Sequence, residues 1–221
     1  MDKEYISALE NVIKQMLVPL KGIPFGLVIE SISGKKVIPF DKFDLLDSKL
    51  LGQLIEAANL AGMIINKTGI YSSRANEVGN AIEPFVIDGL NRIGLIARKP
   101  QTEAGKERSA GYPDIYFIDN FRRSNYLECK TYNKKSLESS LRSFYLSPST
   151  DFKIIYDAHH FVLSYEIVEQ KRSGAMNLYR CSSWKLLSIE KLLVNVKYEF
   201  NADNKELYKE ELILAEGEIT L

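Results

Sequence analysis

Gly111-Tyr112-Pro113-Asp114-Ile115-Tyr116-Phe117-Ile118, the polar run Asp119-Asn120-Phe121-Arg122-Arg123-Ser124-Asn125, and Tyr126-Leu127-Glu128-Cys129-Lys130-Thr131-Tyr132 form the stretch whose reading decides the fold. The outer runs are rich in β-branched and aromatic residues, and the middle run carries turn residues at both ends, so the stretch predicts a β-hairpin with a medium-length loop. Strand side chains alternate faces. Glu128 and Lys130 therefore point one way, and Leu127, Cys129 and Thr131 the other. Antiparallel pairing brings Asp114, at the start of the first strand, near the end of the second, where two carboxylates and one ammonium converge.

That trio suits metal-assisted hydrolysis. Two hard oxygen ligands hold a Mg²⁺ that keeps several waters, and a neighbouring lysine orients or helps deprotonate an attacking water and offsets charge in the transition state. Pro113-Asp114, a short gap, and Glu128-Cys129-Lys130 together resemble the motif of the PD-(D/E)xK nucleases, and the chain length and single-domain layout resemble a type II restriction endonuclease. The resemblance implies that Asp114 and Glu128 ligate Mg²⁺, that the backbone carbonyl of Cys129 is a third ligand, and that Lys130 assists the water. It also implies an acidic residue on a helix before the first motif strand as a further metal-site residue, a place taken by Glu83 ahead of Glu77; a helix cap is the other reading of Glu83. The expected fold is a restriction-endonuclease-like mixed central β-sheet flanked by helices, with an N-terminal, mostly helical layer. The expected activity is Mg²⁺-dependent cleavage of double-stranded DNA at a short specific sequence, leaving 5′-phosphate ends. A homodimer and a cognate DNA methyltransferase acting on the same site complete the expectation. A repair nuclease or junction resolvase, or a non-cleaving DNA-binding protein of the same fold, is the alternative.

Composition bounds these readings. A chain of 221 residues with 45% hydrophobic content can bury one sizeable core, so a single nuclease domain is expected. Within it, residues 1–70 read as an accessory N-terminal layer, 72–185 as the catalytic core and 186–221 as a C-terminal hairpin extension. Net charge is zero, but its distribution is uneven. From Arg92 to Lys135 there are ten basic and five acidic residues, a balance of +5, whereas Leu186 to Leu221 carries four lysines and eight acids, a balance of −4. Positive charge therefore gathers around the hairpin. Arg98, Lys99, Lys106 and Arg108 in the loop before Asp114, Arg122 and Arg123 in the hairpin loop, and Lys134 and Lys135 after it are the candidate DNA contacts. The two cysteines are far apart and suggest neither a disulfide framework nor a zinc site. The first residues lack the basic-then-apolar order of a secretory signal, and no apolar run approaches the length of about 18 residues that crosses a bilayer. A cytoplasmic protein without membrane attachment is expected.

Along the chain, apolar spacing predicts a helix over Tyr5–Leu17 with one buried face. Leu27–Ile32 and Lys36–Phe40 bracket Ser33-Gly34-Lys35 and read as a small hairpin. Asp47 is expected to cap a helix reaching about Ile65. Asn80 through Pro84 resembles a capping box opening a helix whose apolar face is Ile82, Phe85, Val86, Leu90 and Ile93; a longer helix from near Ser73, bent at Pro84, is the alternative. Leu95–Ala97 reads as a strand and Lys134–Leu146 as a helix. Phe152–Tyr156, His160–Val168 and Met176–Cys181 read as further strands, with a basic turn at Gln170–Gly174, and Lys197–Phe200 and Leu207–Leu214 read as a terminal hairpin. His159 and His160 are adjacent on one strand and face opposite ways, so a structural role is expected for both. Trp184 is expected in the core or at an interface. There is no P-loop and no Gly-x-Gly-x-x-Gly run, which leaves nucleotide hydrolysis and dinucleotide binding without a phosphate cradle.

Overall fold

A computed structural model of the chain describes residues 2–18, 20–107, 111–134, 144–149, 151–173 and 176–197, with the single residues 205, 209 and 212. The elements run α1 (Lys3–Met16), β1 (Ile23–Pro24), α2 (Phe25–Ser33), α3 (Leu45–Thr68), β2 (Ile70–Ser72), a 3₁₀ segment (Ala75–Ala81), α4 (Glu83–Arg92), β3 (Ile96–Arg98), β4 (Ile115–Ile118), β5 (Ser124–Tyr132), β6 (His159–Ser173), β7 (Met176–Ser188) and β8 (Leu193–Val194). They divide into a smaller unit, residues 1–23 and 194–221, and a larger one, residues 24–193. In the smaller unit α1 starts behind Asp2, whose carboxylate accepts the Glu4 N–H. The periodic stripe forms the expected helix, but no α1 residue is buried. Periodicity marks a helix face without supplying the surface that would cover it.

The larger unit is built on a six-stranded sheet in the order β2-β7-β6-β5-β4-β3. The β5–β6 pair is parallel and the other neighbours are antiparallel. This is the expected restriction-endonuclease-like arrangement of mixed sheet and flanking helices. The hairpin is β4–β5, with Ile115 opposite Leu127 and Tyr116 opposite Tyr126. The second strand begins at Ser124, because the Asp119 carboxylate gathers the N–H groups of Phe121 and Arg123 and tightens the turn, with Arg122 at a φ of 63°.

Both faces of the central strands are buried. On one side Leu50, Leu54, Ala57, Ala61 and Ile65 of α3, with Ile82, Val86 and Leu90 at and within α4, pack on Leu127, Cys129, Phe161 and Leu163. On the other, Phe25 and Ile29 of α2 join Tyr112, Tyr116, Tyr126, Ile154 and Val162. Helices α3 and α4 approach closely through small residues, since a Cβ on Gly89 would lie 2.8 Å from the Ala57 carbonyl oxygen and 3.2 Å from Ala61 Cβ.

Several local expectations give way to tertiary context. Leu27–Ile32 is helical rather than the arm of a hairpin: Phe25 and Ile29, one turn apart, are fully buried, and Gly34 ends the helix at a φ of 67° with its N–H on the Glu30 carbonyl. Residues 36–38 then run beside Ala158. Asp44, not Asp47, caps α3, accepting the Leu46 and Asp47 N–H groups at 2.8 and 3.1 Å. Asn80 lies in the 3₁₀ segment, and α4 begins at Glu83 with no side-chain cap and Pro84 in its first turn. Residues 152–156 form no strand. Strands β6 and β7 outrun their expected limits, so residues 170–173 are strand rather than turn, with irregular pairing at Glu166/Ile167 and Glu169/Lys171. Residues 144–146 are not helical; the rest of the expected 134–146 helix beyond Lys134, and nearly all of the terminal hairpin, lie outside the described residues. Trp184 is partly buried and donates from Nε1 to Asn59.

The histidines face opposite cores. His159 Nδ1 lies 3.1 Å from the Ile38 carbonyl oxygen, beside Phe40 and Phe161, whereas His160 Nδ1 lies 2.6 Å from the Tyr112 hydroxyl. Burial, helped slightly by the charge of His159, lowers His160 to about 3 from an ordinary 6.5. The folded pKa lies below the unfolded one, so this stability is complete above about pH 6.5 and is lost as pH falls toward 3, at about 1.4 kcal/mol per pH unit for one proton. The difference in unfolding free energy between wild type and His160→Phe, read from urea unfolding at pH 4 to 6.5, should change with that one-proton slope; Glu128, raised to about 7, contributes with the opposite sign to both proteins and cancels in the difference. Gly89→Ala should cost about 1–3 kcal/mol despite its helix propensity, read from denaturant midpoints, because the methyl meets helix backbone rather than a movable side chain.

Candidate active site

Asp114 is the last residue before β4 begins. One step past the Ile115–Leu127 pair, its carboxylate turns in and accepts the Cys129 N–H at 2.8 Å through Oδ2, which fixes it against the middle of the motif. Glu128 lies on the same face of β5 as Lys130, and Glu128 Oε1 is 2.7 Å from Lys130 Nζ. Leu127 and Cys129 face the α3–α4 core, as the alternation requires. The expected Asp114, Glu128 and Lys130 are thus brought together.

The electrostatics are those of crowded carboxylates. Glu128 is raised to about 7, first by burial and then by the charge of Asp114, with Lys130 and Lys153 opposing. Its Oε1 has Lys130, but Oε2 is buried without a hydrogen-bond partner. A buried carboxylate oxygen left unpaired is costly, and a cation beside it would remove that cost. The available donors are hard oxygens of the kind Mg²⁺ takes: two carboxylates and the Cys129 carbonyl, with waters filling the other positions. Among the described residues no group of three or more His, Cys, Asp or Glu side chains gathers as a metal centre.

Other expected residues are distributed around this pair. Glu83, at the first turn of α4, is 3.5 Å from Lys99, and its charge reaches both Cys129 and Lys153. Glu77 is turned instead toward the Ser72 and Ser73 hydroxyls. The loop after β3 is a small turn, with the Thr102 N–H on the Lys106 carbonyl and Gln101 bridged to Glu107. Arg98 lies over the Tyr116 ring at 5.2 Å, Lys106 and Arg122 are exposed, and Lys134 is 3.9 Å from Glu166. Arg123 is engaged inside the protein, its guanidinium bonded to Asp47 at 2.5 Å and Asp119 at 2.7 Å. Arg108 and Lys135 lie outside the described residues.

Sequence reading passed over Lys153. It is 4% exposed, within a segment expected to be a strand, and its ammonium donates to the carbonyls of Gly111 at 2.5 Å and Pro113 at 2.8 Å. Burial lowers its pKa, while Asp114, Glu128 and Glu83 act to raise it. A lone lysine between apolar residues carries no local signal of such a role.

A mixed sheet with this strand order, its flanking helices and the carboxylate pair at a hairpin mouth define an enzyme of the restriction-endonuclease-like class. Residues 19–211 match the family model described as the type II restriction enzyme MjaV family. The chain is also 39% identical over 233 residues to the type II restriction enzyme MjaV of Methanocaldococcus jannaschii, a match covering 99% of each chain. It belongs to the MjaV family of type II restriction enzymes and is a site-specific deoxyribonuclease acting on double-stranded DNA. Enzymes of this class generally use divalent metal ions. No solved structure matches the chain. Among the described residues no helix is long and apolar enough to cross a membrane.

Arg123→Ala should cost about 3–5 kcal/mol of folding stability, because Asp47 and Asp119 would remain buried without their counter-charge. Thermal or urea unfolding measures this, and unchanged stability with weakened DNA binding would instead place Arg123 at the DNA.

Proposed function

We propose that the chain cleaves DNA by Mg²⁺-dependent hydrolysis at Asp114, Glu128 and the Cys129 carbonyl, with Lys130 beside the attacking water. The observation that carries this reading is Glu128 Oε2, buried and unpartnered next to Asp114 while Oε1 holds Lys130. When bound, the cation supplies Lewis-acid polarisation of the phosphoryl group and lowers the pKa of water.

The residues do the rest. Asp114 is held by the Cys129 N–H at Oδ2, which limits the conformational search of its carboxylate. Lys130, partly exposed, holds a water in line with the phosphorus and meets charge that develops on the phosphoryl oxygens. Glu83 stands at the margin of the site, 3.5 Å from Lys99 and with its charge reaching Cys129 and Lys153, which supports it as a further metal-site residue. Attack that expels the 3′ oxygen leaves a 5′-phosphate. Arg98, Lys99, Lys106, Arg122 and Lys134 supply positive charge to the DNA path, with Arg108 and Lys135 as further candidates from the sequence. A homodimer presents one site to each strand of a symmetric sequence, and a cognate methyltransferase protects the host site. A cytoplasmic location follows, because that is where the DNA is.

Purified protein should cut plasmid into discrete fragments with Mg²⁺ and lose all cutting in EDTA. Asp114→Ala and Glu128→Ala should abolish cleavage while metal-free DNA binding persists; turnover by either variant would remove the assignment. Lys130→Ala should lower kcat by about 100-fold or more with the fold intact. Glu83→Gln should lower activity less, and a pure stability effect would leave Glu83 as a helix-start residue only.

A further inference from the structure

The segment that delivers Asp114 to the site is fastened from behind. Gly111, at a φ of 81°, and Pro113 both present backbone carbonyls to Lys153 Nζ, at 2.5 and 2.8 Å. Between them the Tyr112 ring is buried, with its hydroxyl 2.6 Å from His160 Nδ1. The residues on either side of Lys153 are anchored as well. Ile154 is 1% exposed in the α2-side core, and the Ile155 N–H donates to the Tyr126 hydroxyl on β5 at 2.9 Å. Lysine is almost never fully buried unless its charge is compensated. Here the ammonium is spent on two carbonyls that immediately precede the metal-ligating candidate, within reach of the charges of Asp114, Glu128 and Glu83.

We propose that Lys153 is a positioning residue for DNA cleavage, holding the Gly111–Pro113 backbone so that the Asp114 carboxylate meets Glu128 at the separation the metal requires. It touches neither substrate nor reacting atoms. A purely structural lysine in this place would contribute to folding and leave the chemistry of the folded enzyme unchanged. A positioning lysine acts on Asp114 through two bonds to the backbone, and its loss loosens one of two carboxylates on which metal binding depends. Sequence gives no sign of this, because residues 111–113 and residue 153 are joined only by the fold.

The proposal rests on the reading of Asp114 as a metal ligand, and the test separates the two. Lys153→Met keeps the stem and removes the donors; Lys153→Gln has a shorter arm that cannot reach both carbonyls where they stand. Each is assayed for thermal stability, kcat and KM on plasmid well below its unfolding midpoint, and Mn²⁺ binding by calorimetry without DNA, with Asp114→Ala alongside. The expected result is kcat lower by about 10- to 100-fold, KM within about twofold, and Mn²⁺ bound about tenfold more weakly, with Gln milder than Met. Wild-type kcat and Mn²⁺ binding in either folded variant overturn the proposal, whatever its stability. If Lys153→Met does not fold, Lys153→Gln alone decides by the same measurements. Cleavage retained by Asp114→Ala would overturn the site reading itself; an inactive Asp114→Ala beside fully active Lys153 variants would sink only the role of Lys153.

Discussion

The register of the β4–β5 ladder is the constraint on which the rest of the structure depends. With Ile115 opposite Leu127, the alternation of β5 sends Leu127 and Cys129 into the α3–α4 core and leaves Glu128 and Lys130 on the other face. A slip of one residue would exchange the two sets, burying a carboxylate and an ammonium among Leu50, Ile65 and Phe161 and turning the core residues outward. The hydrophobic effect therefore sets the position of the catalytic candidates. Each core residue on β5 fixes the orientation of the polar residue beside it.

The parallel β5–β6 pair extends that constraint. Its register places Val162 beside Glu128 and Ser164 beside Lys130, so the candidate carboxylate backs onto an apolar neighbour while the lysine opens toward polar surface. Burial of Glu128 raises its pKa, and the same burial leaves Oε2 without a partner. An isolated carboxyl so placed would favour its neutral form. Asp114 adds to that tendency, while Lys130 and Lys153 oppose it. The folding energy that excludes water from this face thus also strengthens the electrostatics available to catalysis.

A second buried network serves a different purpose. Arg123 joins Asp119 in the β4–β5 turn to Asp47 in the first turn of α3, with His159 Nε2 3.6 Å from Asp47. These ties hold the far end of the β4–β5 hairpin to the helix that covers the opposite face of the sheet. Two clusters of charge, one at each end of the hairpin, look alike in sequence, since both are acids and bases near turns. The partners separate them: Arg123 lies between two buried carboxylates, Asp47 and Asp119, whereas Glu128 lies beside a second carboxylate, Asp114, with Oε2 buried and unpartnered.

What the sequence determined by itself was local and periodic. The hairpin, the alternation on β5, α1 and the apolar face of α4 follow from side-chain spacing, and Asp114, Glu128 and Lys130 could be named because their positions depend on one short-range pairing. Leu27–Ile32 shows the limit: its β-branched content reads as strand, but burial of Phe25 and Ile29 one turn apart and a left-handed Gly34 make it helix. Asp47 reads as a cap in sequence but is the buried partner of Arg123, and Asp44 caps the helix, because a capping carboxylate and an ion-pair carboxylate are the same residue type in a string. Lys153 and Arg123 received their roles from the tertiary structure alone. The carbonyls that Lys153 meets are 42 and 40 residues away and the Asp47 that Arg123 meets is 76 away, although Asp119 is only four; hydrogen bonds across the longer distances are chosen by packing, which no local pattern records.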